Sequence, residues 1–319
     1  MTDKLKLGCM EKLISRAPAV KIQQLRKTYE NDTVLAIKGL DLTVGSGELL
    51  ALIGPDGAGK TSLFRILATL ILPDGGQVEV LGYDVVKDFQ SLRLITGYMP
   101  GRFALYQDLT VLENLSFFAT VFNTSIEANY DIIRDIYVQL EPFKHRRASQ
   151  LSGGMKQKLA LCCTLVHKPS ILLLDEPTTG VDPVSRQEFW DILDKLKADG
   201  MTMIVSTPYM DEARRCDRIA MMNRGELLDI STPEALIDGF GKPLYAIQSD
   251  RMFALLQDLR KYPVTDTCFA FGEAHHVTFK KSIQVDDLRG YLQMQGHHHV
   301  DIAQIQPTVE DCFMDQLAS

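Results

Sequence analysis

The chain has 319 residues, room for two domains, and its 45% hydrophobic and 24% charged content is that of a globular protein with a sizeable core. The net charge of -7, with no basic stripe, argues against nucleic acid as a partner. No apolar run is long enough to cross a bilayer and the first residues lack the apolar core of a signal peptide, so a cytoplasmic chain that reaches a membrane only through a partner is expected.

Residues 1–19 read as an N-terminal extension, with 4–16 either an amphipathic helix on a partner or lipid, or disordered. Residues 20–44 carry β signals and suggest an antiparallel flap. A buried strand at 48–53 leads into Gly54-Pro55-Asp56-Gly57-Ala58-Gly59-Lys60-Thr61-Ser62, and a helix runs from 60 to about 70. This is the GxxxxGK[ST] pattern. Its glycines let backbone N–H groups turn inward around phosphate oxygens, and the helix points its positive end at the same anion. Lys60 is expected to reach the β- and γ-phosphates, and the Thr61 hydroxyl to hold Mg2+, so ATP and Mg2+ are the expected ligands.

Helices are expected at 111–122, 126–140 and 155–166, a buried strand at 171–174, a helix at 185–197 and a strand at 201–206. The strand at 171–174 delivers Asp175 and Glu176 at its C-terminal end, where open α/β sheets place ligands. Asp175 suits Mg2+, and Glu176 suits polarising an attacking water. Strands alternating with helices predict an α/β fold with a parallel sheet. Helix 187–197 reads as a charged surface face packed by Phe189, Trp190, Ile192, Leu193 and Leu196.

Gly239, Gly241 and Pro243 mark a boundary near 238–243. Beyond it the order strand, helix, strand, strand, helix, strand, with one extra helix, predicts a small ferredoxin-like α+β domain over 239–319. The six scattered cysteines read as reduced and buried. His297, His298 and His299, with His275 and His276 nearby, could bind a metal but fit a solvated turn better.

Leu151-Ser152-Gly153-Gly154-Met155-Lys156-Gln157-Lys158 resembles the LSGGQ-type signature of ABC ATPases, with Met155 in the usual Gln position. It is another capped helix start, a second anion-binding end. The resemblance implies that Ser152, Gly153 and Gly154 face the γ-phosphate held by a second ATPase domain. Asp182, in the D-loop-like Gly180-Val181-Asp182, would touch that same partner site. It also implies that Tyr29 stacks on adenine, and that the helical subdomain spans about 105–168. The stretch from Gly97 to Leu115 and the ending Gln306-Pro307-Thr308-Val309-Glu310-Asp311-Cys312-Phe313 are similar to drug-efflux ATPases that pair with ABC-2-type permeases.

Two positions depart from that pattern. Gly101 stands where the family has a Gln near Mg2+ or the attacking water, and Pro208 stands where it has a His that donates to the γ-phosphate. Proline cannot donate even from its backbone. Binding chemistry survives and help for the transition state is reduced. The expected protein is a P-loop ABC ATPase over 20–238 with a regulatory or dimerising C-terminal domain. It would serve an ABC-2-type exporter at the inner face of the cell membrane, its own cis site weakened and its signature completing a site in a second ATPase subunit of the same or a different chain. A soluble ABC protein acting on ribosomes or DNA, and a non-hydrolysing scaffold, are the alternatives.

Overall fold

The computed structural model describes residues 17–29, 33–102 and 104–318; the helix-or-disorder expectation for 4–16 lies outside them. The chain divides into two compact units, one ending at Ile230 and one beginning at Ser231.

The first unit opens with β1 (Val20–Tyr29) and β2 (Val34–Val44), antiparallel with Val20 opposite Val44. Buried Ile37, Leu40, Leu42 and Val44 alternate with more exposed residues, as one core-facing side requires. From there β3 (Leu49–Ile53) enters a second sheet and α1 (Lys60–Leu67) follows. β4 (Gly75–Val80) and β5 (Tyr83–Asp84) return to the flap, in the order β2-β1-β4-β5. Helix α1 stops short of the expected 70, because Thr69 turns to a positive φ of 59°. Arg93 clamps that turn, donating to Thr69 Oγ1 at 2.8 Å and to its carbonyl at 2.7 Å.

After α2 (Phe89–Ile95) come β6 (Thr96–Met99) and the helices α3 (Val111–Val121), α4 (Tyr130–Leu140) and α5 (Gly153–Leu165), which pack together. Thr110 and Glu113 form a reciprocal capping box at the start of α3. Helix α4 begins later than the expected 126, since Ser125 Oγ accepts from Ala128 N and holds those residues in turns. β7 (Ile171–Asp175), α6 (Pro183–Ala198), β8 (Thr202–Ser206), α7 (Met210–Ala213), β9 (Arg218–Asn223) and β10 (Glu226–Ser231) complete the unit.

The second sheet runs β10-β9-β3-β8-β7-β6, with β9, β3, β8, β7 and β6 parallel. Every residue of β3, β7 and β8 is buried. That is why they read as unbroken apolar runs instead of alternating ones. Phe189, Trp190, Ile192, Leu193 and Leu196 form the buried face of α6, as expected.

The second unit contains α8 (Pro233–Asp238), β11 (Leu244–Gln248), α9 (Met252–Lys261), β12 (Thr265–Phe271), β13 (Ala274–Phe279), α10 (Val285–Met294), β14 (Asp301–Ile305) and α11 (Val309–Ala318). The division falls before the glycine-marked boundary because α8 packs on α11. Its antiparallel sheet has the order β12-β13-β11-β14, the ferredoxin-like arrangement the element order predicts. The solvated turn expected at 297–299 is corrected at one residue. His297 is fully buried, with Nδ1 3.1 Å from Ser249 Oγ and Nε2 3.1 Å from Asp258 Oδ2. Among the described residues, no three or more His, Cys, Asp or Glu side chains gather as a metal site. Cys162, Cys163, Cys216, Cys268 and Cys312 are buried free thiols.

The core of the second unit gathers Ile247, Leu255, Leu259, Val277, Leu288 and Leu292. Leu288→Ala is expected to cost about 2–5 kcal/mol through lost burial and a residual cavity. Amide exchange should quicken through β11 and β13 and stay slow in β3 and β7.

Candidate functional site

The loop after β3 is shaped by what a side chain would strike. A Cβ at Gly54 would lie 2.2 Å from the Met222 carbonyl oxygen. One at Gly59, where φ is +105°, would lie 2.4 Å from the Ala36 oxygen. Both positions need glycine for close backbone approach. Gly57 also has a left-handed φ, +76°, but faces open space. Gly59 is the N-cap of α1, so the loop hands directly to a helix start.

Lys60 is 5% exposed and folds over the loop, donating to the carbonyls of Gly54 at 2.8 Å and Pro55 at 3.2 Å. Its Nζ also lies 3.7 Å from Glu176 Oε1. A cavity of about 500 Å³ is lined by Asp56, Gly57, Ala58, Gly59, Lys60, Thr61, Ser62 and Glu176. Tyr29, at the end of β1, reaches this loop through its hydroxyl, 3.1 Å from Ser62 Oγ.

The acid pair arrives from β7. Parallel pairing sets Asp175 opposite Ser206, whose hydroxyl donates to Asp175 Oδ1 at 2.7 Å. The Glu176 N–H donates back to Ser206 Oγ at 2.8 Å. Glu176 itself has a left-handed φ of 50°, a strained backbone for a side chain of its kind. A second cavity, about 450 Å³, is lined by Thr61, Asp175, Glu176, Gly101, Tyr98, Arg65 and Arg102. One hydroxyl and two carboxylates on a shared cavity are the hard oxygen donors that Mg2+ accepts, usually with waters in the remaining positions. The residues present therefore fit the ion. Burial, aided by the charge of Asp175, pushes the Tyr98 hydroxyl up to about 12, so it stays protonated on this wall.

Both substituted positions lie on the described chain. A Cβ on Gly101 would come 3.0 Å from the Asp175 carbonyl oxygen, so a larger residue there needs the neighbouring backbone to give. Pro208 is exposed, just past the end of β8.

The signature residues form a second cluster. Ser152 Oγ accepts from Met155 N at 3.3 Å and caps α5. Asp182 Oδ1 accepts from Ser185 N at 3.0 Å and caps α6; that bond lowers the Asp182 carboxyl below its ordinary range. A Cβ on Gly154 would lie 2.5 Å from Ser185, and one on Gly153 would lie 3.5 Å from the Gly180 oxygen. Ser152, Gly153, Gly154 and Asp182 thus gather together, and they line neither of the two cavities at the loop.

Sequence reading missed Ser206, Arg65, Tyr98, Arg102 and Arg224, which lines the first cavity beside the loop. Ser206 had a signal: it is the polar residue closing an apolar run, one strand over from Asp175.

A glycine loop between buried strand and helix, with an acid pair at the end of a parallel strand two places along the sheet, defines a P-loop nucleotide-binding cassette. The family model described as "ABC transporter" matches residues 37–179. The chain is 39% identical over 302 residues to the probable multidrug ABC transporter ATP-binding protein YbhF of Escherichia coli (strain K12), covering 93% of this chain and 52% of that protein. It therefore spans about half the length of that relative. It is 33% identical to the Nod factor export ATP-binding protein I of Rhizobium sp. (strain N33), covering 93% of this chain and 96% of that protein. Among solved structures it resembles the ATP-binding cassette MJ0796 in a dimeric post-hydrolysis state bound to ADP and Pi, with TM-score 0.61 and 28% identity over 67% of this chain and 98% of that one. The chain belongs to the ATP-binding proteins of the ABC transporter family.

Gly57→Ala and Gly59→Ala separate strain from collision. The first should cost only the left-handed penalty, about 1–2 kcal/mol. The second adds a clash with backbone and should cost more, with loss of the loop's shape, as urea denaturation of the two variants would show.

Proposed function

We propose that this chain is the ATP-binding subunit of an ABC-2-type exporter, with a weakened cis site and a signature that completes a site in a second ATPase domain. The observation that supports ATP binding and hydrolysis is the meeting of Lys60 with Glu176 at 3.7 Å, with Thr61, Asp175 and Glu176 on one cavity. An incoming triphosphate would take Lys60 from the loop carbonyls. Thr61 and Asp175 would hold Mg2+, which when bound neutralises charge on the phosphates. The loop N–H groups and the start of α1 bind and orient the phosphates. Glu176 orients and polarises water. Tyr29, tethered to Ser62, supplies an aromatic face for adenine.

The weakening rests on Gly101 and Pro208. Neither side chain can donate, and one missing charge-stabilising donor typically costs about 10²–10³ in rate. Glu176 remains, so hydrolysis here is slow, not absent. The signature cluster of Ser152, Gly153, Gly154 and Asp182 is intact apart from Met155, which suits the trans half of another subunit's site. Such pairing is consistent with the dimeric cassette named above.

No helix among the described residues is long and apolar enough to cross a membrane. Membrane attachment would come through permease subunits at the inner face. A groove of about 550 Å³ offers the grip: Tyr98, Met99, Leu105, Phe118, Phe122 and His167 line it, and Phe122 stacks on His167 at 3.7 Å. Burial lowers the His167 pKa, keeping its ring neutral and the groove apolar. The exporter names of the relatives favour this reading over ribosome or DNA work. The unit from Ser231 on is proposed as regulatory or dimerising.

Steady-state ATP hydrolysis by the purified chain, alone and with its native membrane partners, tests the proposal beside Glu176→Gln. Little turnover alone, with turnover in the complex that largely survives Glu176→Gln, is the expected result. Robust turnover alone that Glu176→Gln abolishes would place full activity in this chain's own site.

A further inference from the structure

Glu212, on α7, has no role in the site described so far. It is 3% exposed, and a carboxylate is almost never that deeply buried without partners. Side chains from three separate segments converge on it. Thr178 Oγ1 lies 2.8 and 3.0 Å from its two oxygens. The Thr207 hydroxyl donates to Oε2 through a short hydrogen bond. Arg186 Nε lies 3.6 Å from Oε1.

The origin of these partners is informative. Thr178 belongs to the segment just beyond Glu176. Thr207 immediately precedes Pro208, and its Oγ1 also accepts from Tyr209 N at 3.0 Å. Arg186 stands on α6, the helix that Asp182 caps. It also pairs with Asp211 at 3.2 Å and covers the Tyr209 ring at 4.2 Å. Pro208 itself can donate no hydrogen bond, so the side-chain tethers of this segment come from its neighbours. Hydrogen bonds to a carboxylate in a dry setting are the strong kind.

We propose that Glu212 is a positioning residue that ties the Glu176 segment, the Pro208 segment and helix α6 into one moving part. The proposal rests on the reading of Glu176 as the water-polarising group. A displacement of α6 by a subunit docking at Asp182 is then carried through Arg186 and Glu212 to both segments at once. Burial raises the Glu212 pKa while the two hydroxyls and Arg186 pull it back, as a carboxylate retained for its bonds would show.

The test uses the purified full chain without its membrane partners, where the slow turnover comes from its own site, comparing wild type with Glu212→Ala, Glu212→Gln and Thr207→Val. Turnover is normalised to bound ATP, and amide exchange is followed across 176–182 and 206–213. Glu212→Ala should lower kcat about 10–100-fold, the loss that a shift of about 1 Å brings, with ATP affinity within about threefold of wild type. Glu212→Gln, whose amide can still pair with both threonines, should recover most of kcat. Exchange should rise in both segments together. Thr207→Val removes one tether and keeps the test alive should Glu212→Ala not fold; it should lower kcat by a smaller factor, again without loss of affinity. Unchanged kcat in Glu212→Ala, or parallel loss of kcat and affinity in both Glu212 variants, overturns the proposal. Absence of any wild-type hydrolysis would sink the ATPase reading instead. The tie itself would then stand or fall on whether the two segments loosen together or separately.

Discussion

The parallel pairing of β7 with β8 is the constraint on which the site depends. Both strands are buried at every residue, so their ladders satisfy the backbone and polar side chains are left for the ends. The register puts Asp175 across from Ser206, and one hydroxyl then serves two masters, donating to the carboxylate and accepting from the Glu176 N–H. That pairing fixes where the acid pair leaves the sheet. β3, paired on the other side of β8, delivers the glycine loop to the same edge. The meeting of Lys60 and Glu176 is a consequence of strand order more than of any direct attraction.

The phosphate loop and the acid pair were legible in the sequence because their chemistry is local. Adjacent residues form each piece, and the flanking apolar runs name the strand. The ferredoxin-like unit was legible for a similar reason: its strands and helices are short, regular and punctuated. What was not legible needed register or packing. Ser206 matters only because Asp175 lies opposite it. Glu212 reads as one more acid on a short helix until Thr178 and Thr207 are brought to it. His297 is a case of direction. Gly296 ends α10 with a φ of +84°, the His297 N–H bonds the Leu292 carbonyl at 3.1 Å, and that turn aims one histidine of three inward.

The substituted positions have different structural standing. Gly101 lies against the Asp175 carbonyl, so its smallness is built into the close passage of that segment over β7. Pro208 is exposed, and it can donate neither from its side chain nor from its backbone. The signature cluster shows no matching loss: its two helix starts are capped, and its glycines pack against the neighbouring loop and helix. The departures from the family pattern at Gly101 and Pro208 thus fall in one half-site, which is what the proposed asymmetric pairing rests on.

The folded-back Lys60 carries a consequence for selectivity. Its ammonium group is already satisfied by two carbonyls and faces a carboxylate. A ligand must outcompete these contacts, so the exchange is a swap of partners whose net gain is far smaller than the bare attraction. A singly charged anion has little with which to win that contest, whereas a triphosphate brings several oxygens at once. Each bond that Lys60 would make to a phosphate oxygen thus replaces one that it already makes within the loop.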